Sequence, residues 1–165
     1  MALIPNQLNL FDEPLPYKYI IDTSAILSQK PDEKHRRTRF KSLWKNIDEL
    51  IKQQIIILST EIMEEVDDKD IKDSLKKQNC KIIEVDEEVQ ANVAKVVTKR
   101  PGLVDFKQNK SSGDAFLIAT AMKYGLTVIT EENPDKQSKI PKVCECLGVH
   151  CIDILGLCEL EDWEF

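Results

Sequence analysis

Apolar and polar positions along this chain alternate between two regimes. Short apolar-rich runs occur at residues 17–22 (YKYIID), 55–58 (IIIL), 81–85 (KIIEV), 126–130 (LTVIT) and 148–152 (GVHCI). These read as strands, and the continuous IIIL, too short for a helix of its own, reads as one buried on both faces, as in a parallel sheet. Between them the period changes. From Arg36 to Gln53, the apolar Phe40, Leu43, Trp44, Ile47, Leu50 and Ile51 recur at helical spacing, which predicts an amphipathic helix with Trp44 in the core. Ser59 or Thr60 suits the cap of the next helix, with Glu61 in its first turn near the positive end of the dipole. Asp86 suits the cap of a further helix that has Glu87 and Glu88 in its first turn, Lys99 and Arg100 in its last, and Pro101–Gly102 as its stop. Ser111 or Ser112 opens a helix apolar at Phe116, Leu117, Ile118, Ala119, Ala121 and Met122, and Gly125 follows where a helix end favours a left-handed residue. Ile154–Leu160 predicts a final helical turn or two. Strands alternating with helices predict an α/β fold: three α/β/α layers around a central parallel sheet of about five strands, joined by right-handed crossovers.

The 165 residues suit one domain. Residues 1–16 carry Pro5, Pro14 and Pro16 without a clean period and read as an irregular leader; 17–160 form the domain; 161–165 are an acidic tail. An apolar content of 42% excludes disorder, and 5 Gly and 7 Pro exclude collagen-like or low-complexity classes. No apolar run approaches the ~20 residues that span a bilayer, so no membrane partner is expected. The opening MALIPNQLNLFDEP has no basic region and meets Asp12 and Glu13 early, unlike a secretory signal. Five cysteines, four of them between Cys144 and Cys158, argue against a disulfide scaffold and fit a reduced cytoplasm. With His150 they invite a zinc reading, but the paired C-x-x-C spacing is missing, and Cys151 and Cys158 sit in apolar patterns. His35 lies in a basic loop without an evident partner, and neither histidine belongs to a nucleophile motif. Ser111-Ser112-Gly113-Asp114 lacks the Gly-Lys-Ser/Thr of a phosphate loop.

What each strand runs into is more telling. The first ends in Asp22-Thr23-Ser24, the second leads into Ser59-Thr60-Glu61-Ile62-Met63-Glu64-Glu65, and the fourth ends in Thr130-Glu131-Glu132. Ligands of open parallel sheets bind beyond the carboxyl ends of the strands. Asp114 lies in the first turn of the helix before the fourth strand, and such a helix begins at that same edge. Carboxylates gathered there repel one another and raise one another's pKa unless a cation offsets them. Carboxylate, hydroxyl and water oxygens are the ligands that Mg²⁺ or Mn²⁺ prefers, and such a cluster suits phosphodiester hydrolysis. Any one of these acids alone is an ordinary turn or surface residue; their shared edge carries the reading.

At these residues the sequence resembles PIN-domain ribonucleases of the toxin–antitoxin kind, over roughly residues 17–157. YIIDTSAIL resembles the family's first strand with its Asp-x-Ser, here Asp22 and Ser24. STEIMEEV resembles the second-strand exit, whose register selects Glu65, three residues after Ile62, over Glu61 and Glu64. GDAFLIATAMKYG resembles the helix with a metal-binding aspartate, Asp114, and TVITEEN the fourth strand with its Thr-x-acid ending, Thr130 and Glu132. The tail IPKVCECLGVHCIDIL resembles an uncharacterised PIN-like branch. The family's last acid is usually aspartate, so Glu132 reaches further, with Glu131 as the alternative. The resemblance implies an endoribonuclease dependent on Mg²⁺ or Mn²⁺, with Asp22, Glu65 and Asp114 as the metal core and Glu132 outside it. It implies orienting roles for Ser24 and Thr130, and an antitoxin and a homodimer mate meeting the Arg36–Gln53 helix.

The net charge of −6 argues against a nucleic-acid coat but conceals segregation. Residues 30–45 hold seven basic against two acidic side chains, and residues 95–110 five against one, including Lys110, which together with Asn109 is placed to reach a phosphate. Acids gather in 59–75 and after Glu159. Basic stretches flanking an acidic cleft suit RNA. Three other readings compete. One is a PIN-like module that no longer cleaves. A second is a phosphotransferase using Asp22 as nucleophile, which calls for an aspartate where Ser24 stands. The third is a DNA nuclease, for whose usual extra domains the chain has no room.

Overall fold

A computed structural model describes residues 14–99, 113–136 and 139–165. The leader up to residue 13, the proposed Pro101–Gly102 stop, Asn109, Lys110, and Ser111 and Ser112 all lie outside the described residues.

Five short strands form one parallel sheet: β1 (Tyr19–Ile21), β2 (Ile56–Ser59), β3 (Ile82–Ile83), β4 (Thr127–Ile129) and β5 (Cys151–Ile152). Their order is β3-β2-β1-β4-β5. The three central strands are buried because they are almost wholly apolar, and Ile20, Ile21, Ile56, Ile57, Leu58, Val128 and Ile129 are all sealed from solvent. The chain winds outward from β1 to β3, then returns to place β4 on the other side of β1. With right-handed crossovers, that reversal puts helices on both faces. The three-layer α/β/α architecture is the one expected.

The helices are α1 (Thr23–Leu27), α2 (Lys41–Lys52), α3 (Thr60–Glu65), α4 (Lys69–Lys77), α5 (Glu87–Lys99), α6 (Gly113–Tyr124), α7 (Ile140–Leu147) and α8 (Ile154–Leu160). The apolar α6 lies across β1, β2 and β4 and packs against α5 and α7, while α2 packs on β2. Trp44 is buried in the core, as its helical register predicts. Asp86 caps α5, accepting from the Val89 amide at 2.9 Å. Gly125 adopts the expected left-handed conformation, with φ +66°. Among the described residues, no helix is long and apolar enough to cross a membrane.

Several local expectations are corrected. The helix expected from Arg36 begins at Lys41, because Arg37 is drawn out of helical register. Its guanidinium grips Asp48 through two hydrogen bonds of 2.7 and 3.0 Å, bonds Gln29 at 2.9 Å, and lies over the Trp44 ring. One helix was expected after β2, but the chain makes two. Val66 is extended, and Asp68 restarts the helix by accepting from the Ile71 amide at 3.0 Å. Neither Ser59 nor Thr60 caps with its side chain. Ser59 Oγ is buried without a hydrogen bond, and Thr60 Oγ1 donates to the Ile83 carbonyl at 3.1 Å. The segment from Ile140 to Leu147, to which no element was assigned, is helical. Pro141 sits in its first turn, where proline is tolerated, and Gly148 ends it with φ +72°. His35 is not partnerless: it is buried, with Nε2 3.0 Å from Glu131 Oε1.

Candidate active site

Reversal of the winding direction leaves a crevice at the carboxyl ends of β1 and β4, the usual place for a ligand in an open α/β sheet. The chain leaves β1 at Asp22, which caps α1. A cap turns its side chain back toward the first amides of the helix, which fixes the carboxylate at the sheet edge. Asp22 is only 2% exposed. Its Oδ2 accepts from the Ser24 amide at 3.3 Å, Ser24 Oγ at 2.6 Å and Thr130 Oγ1 at 2.9 Å. Burial pushes this carboxyl above its ordinary range, and the hydrogen bonds oppose that rise. Ser24 also ties the edge together, since its Oγ accepts from the Glu131 amide at 3.0 Å.

Glu65 ends α3 and is held by Thr23 Oγ1, which donates to its Oε2 at 3.0 Å. Asp114 lies in the first turn of α6. Its pKa is pushed up to about 8, first by burial, then by the negative charges of Asp22, Glu132 and Glu65, while Lys139 pulls it down. Glu132 is raised by burial too, and lowered by the Ile140 amide, which donates to its Oε1 at 3.1 Å. Asp22 and Glu65 add to its rise; Lys139 opposes it. All four carboxylates predicted from the sequence therefore share one electrostatic neighbourhood.

Between the two neighbouring glutamates, the surroundings separate the roles. Glu131 is occupied elsewhere: one oxygen meets His35 and, at 3.6 Å, Lys34, and the other accepts from the Ile154 amide at 2.9 Å. It anchors the basic loop and the start of α8. Glu132 faces the other acids. Three contributors were not legible as site residues: Thr23, His35 and Lys139. Thr23 lay inside the Asp-x-Ser motif, but its partner Glu65 is 42 residues away; Lys139 immediately precedes α7, and that helix was not foreseen.

Among the described residues, no three His, Cys, Asp or Glu side chains are arranged to ligate one ion directly. The donor chemistry nevertheless fits Mg²⁺ or Mn²⁺. Mg²⁺ keeps several waters and takes only one or two direct carboxylates, so spaced acids with nearby hydroxyls can hold it partly through water. Beside Thr130, Glu131 and Glu132 lies a cleft of about 380 Å³, which Lys34, Cys151 and Asp153 also line.

A family profile described as "Domain of unknown function (DUF4411)" matches residues 19–165, which include every residue of this cluster. The chain belongs to the DUF4411 family. No curated protein matches it in sequence. Solved structures resemble this DUF4411 chain at low identity. FitAcB from Neisseria gonorrhoeae shares 18% identity over 83% of this chain and 98% of its own, with a TM-score of 0.50. PAE2754 from Pyrobaculum aerophilum shares 17% over 94% and 96%, with a TM-score of 0.52. VapBC2 from Rickettsia felis, solved bound to a DNA fragment from its promoter, shares 14% over 82% and 97%, with a TM-score of 0.51. These likenesses concern the fold, and the DUF4411 chain has a PIN-like three-layer α/β/α fold.

Proposed function

We propose that the protein is a cytoplasmic endoribonuclease dependent on Mg²⁺ or Mn²⁺, acting as the toxin of a toxin–antitoxin pair. The observation that carries this reading is Asp114, raised to about 8 by burial and three neighbouring carboxylates at the switch point of the sheet. A fold has no structural need to gather like charges there, and a divalent cation relieves the repulsion. Asp22, Glu65 and Asp114 would hold the ion, with Glu132 reaching it through water. When bound, the ion activates a water and offsets phosphate charge. The chain's own groups do the rest. Ser24 and Thr130 fix the Asp22 carboxylate, Thr23 fixes Glu65, and Lys139 brings positive charge to the edge where a phosphate would lie. RNA is the favoured substrate, with the exposed Lys34, Arg39 and Lys41 as a basic approach. The likeness in fold to FitAcB and VapBC2 supports a protein antitoxin as partner, and the resemblance of the sequence to PIN-domain ribonucleases adds a homodimer mate on the α2 side.

The test is cleavage of single-stranded RNA, folded tRNA and single-stranded DNA with Mg²⁺, Mn²⁺ or chelator, beside Asp114→Asn. Metal-dependent RNA cleavage that the variant lacks is expected. One alternative is a PIN-like interaction module that does not cleave, favoured by the absence of a direct three-ligand geometry among the described residues. Neither cleavage nor Mn²⁺ binding by the parent would establish that alternative.

A further inference from the structure

A second cleft opens beside the first, between the start of α2 and α8. Its volume is about 530 Å³, within the ~300–1,000 Å³ of ordinary ligand sites. Lys34 lines both clefts, so the two adjoin at that side chain. Three of the exposed large apolar side chains among the described residues, Phe40, Leu155 and Phe165, gather along this groove. Apolar surface grouped in this way marks a binding site. Phe40 is the most informative of the three. Its spacing puts it on the apolar stripe of α2, yet it precedes the helix and remains 41% exposed. The His35 ring meets it edge-on, with centroids 6.5 Å apart and planes at 70°. His35 is itself held by Glu131, which mounts the aromatic on the same scaffold as the acidic edge. Charge singles out the occupant. Arg39 and Lys41, on either side of Phe40, are exposed cations on the wall of the groove. Lys34, which reaches Glu131 at 3.6 Å, makes a third. Among the described residues, no aspartate or glutamate lines the groove. An apolar partner would strip water from these cations and give nothing back. A single nucleic-acid strand satisfies both features, since its bases stack on an aromatic ring and its phosphates meet the cations.

We propose that this groove is a base-binding subsite, in which a nucleobase of single-stranded RNA stacks on the Phe40 ring while Arg39, Lys41 and Lys34 hold the phosphates of the strand. The inference rests on the reading of the adjoining acidic edge as a nuclease site and adds the substrate class that site takes. The stack fixes the register of the strand. A base lodged beside Phe40 is swung away from its neighbours, and the backbone that follows it runs past Lys34 toward Glu132 and Thr130. A duplex keeps its bases stacked on one another and offers none to the ring, so paired RNA is excluded. Stacking suits every base, because each has a flat π face, so the subsite selects for an unpaired strand rather than for a sequence. Phe40 is thereby a positioning residue.

The experiment titrates a fluorescent single-stranded oligouridylate with the full chain carrying Asp114→Asn, so that the strand stays uncut, and reads anisotropy. Adding Phe40→Ala should weaken binding roughly 5- to 100-fold, the worth of one base–aromatic stack. Phe40→Trp should keep the affinity and Phe40→Leu should not, which separates stacking from the filling of an apolar gap. An abasic strand of the same length, or duplex RNA, should bind Phe40→Ala and its parent equally. Arg39→Ala and Lys41→Ala should each lower the slope of log affinity against log salt by about 0.7, while Phe40→Ala leaves that slope unchanged. Unchanged affinity in Phe40→Ala, or full affinity in Phe40→Leu, overturns the proposal. So does a lower sedimenting mass of Phe40→Ala at unchanged strand affinity, which assigns the groove to a second protein chain. The two readings fail separately. RNA cleavage by the native chain with equal strand affinity in Phe40→Ala removes the subsite alone, whereas Phe40-dependent binding without cleavage supports the subsite and counts against the nuclease.

Discussion

Asp114 holds its proton at neutral pH because burial and three acids surround it, and this has a defined consequence for stability. Its pKa rises from 3.8 to about 8 on folding, so the folded chain binds more protons than the unfolded one between those values. The stability this group contributes is complete below pH 3.8 and is lost as pH climbs through about 8. Urea midpoints of the metal-free protein should fall across that window, and Asp114→Asn should flatten the fall; equal slopes would separate the shift from this residue. Mn²⁺ affinity should rise with pH toward about 8, with proton release on binding, and should be lost in Asp114→Asn. The two adjacent glutamates should differ sharply. Glu131→Ala strands the buried His35 ring nitrogen and the Ile154 amide and should cost about 1–3 kcal/mol by denaturant titration. Glu132→Gln keeps an acceptor for the Ile140 amide, so it should weaken Mn²⁺ binding while moving stability by less than about 1 kcal/mol. Asp22, Ser24 and Thr130 were legible because they sit directly after apolar runs. The His35–Glu131 pair was not, since its members are 96 residues apart and no period relates them.

At the level of elements, period and punctuation succeeded together and failed separately. α5 and α6 were readable because a helical stripe coincided with a capping Asp86 or a closing Gly125. α7 has the stripe, through the buried Ile140, Val143 and Cys144, but it is only eight residues long with Pro141 in its first turn, and no element was assigned to it. The region after β2 misled for the opposite reason. The cap candidates Ser59 and Thr60 pointed to a single helix, yet Asp68 competes as a cap and starts a second. Gly148 is the sharpest test at this level. A methyl group there meets nothing within 4 Å, so Gly148→Ala carries only the strain of φ +72°. It should lower stability by about 1 kcal/mol, read as a lower urea midpoint with an unchanged slope.

For the molecule as a whole, the fold class followed from strands alternating with helices, whereas the closing of the structure did not. The residues read as an acidic tail are partly integrated. Glu161 Oε2 accepts from the Tyr19 hydroxyl at 2.6 Å, and Trp163 packs against the core. Removing 161–165 should therefore destabilise the domain by about 1–3 kcal/mol, seen as a lower melting temperature. The order β3-β2-β1-β4-β5 has a consequence in time as well as space. The strand that brings Thr130 and Glu132 is inserted beside the first one only after most of the chain has been made. Asp22 is translated 110 residues before Glu132, an interval of roughly 5–20 seconds at ordinary elongation rates. Through that interval the acids arrive one at a time, Glu65 after 43 further residues and Asp114 after 92, and Glu132 completes the set. With the chain laid out in this order, the acidic edge proposed as the nuclease site is complete only once Glu132 has been made, four-fifths of the way along the chain.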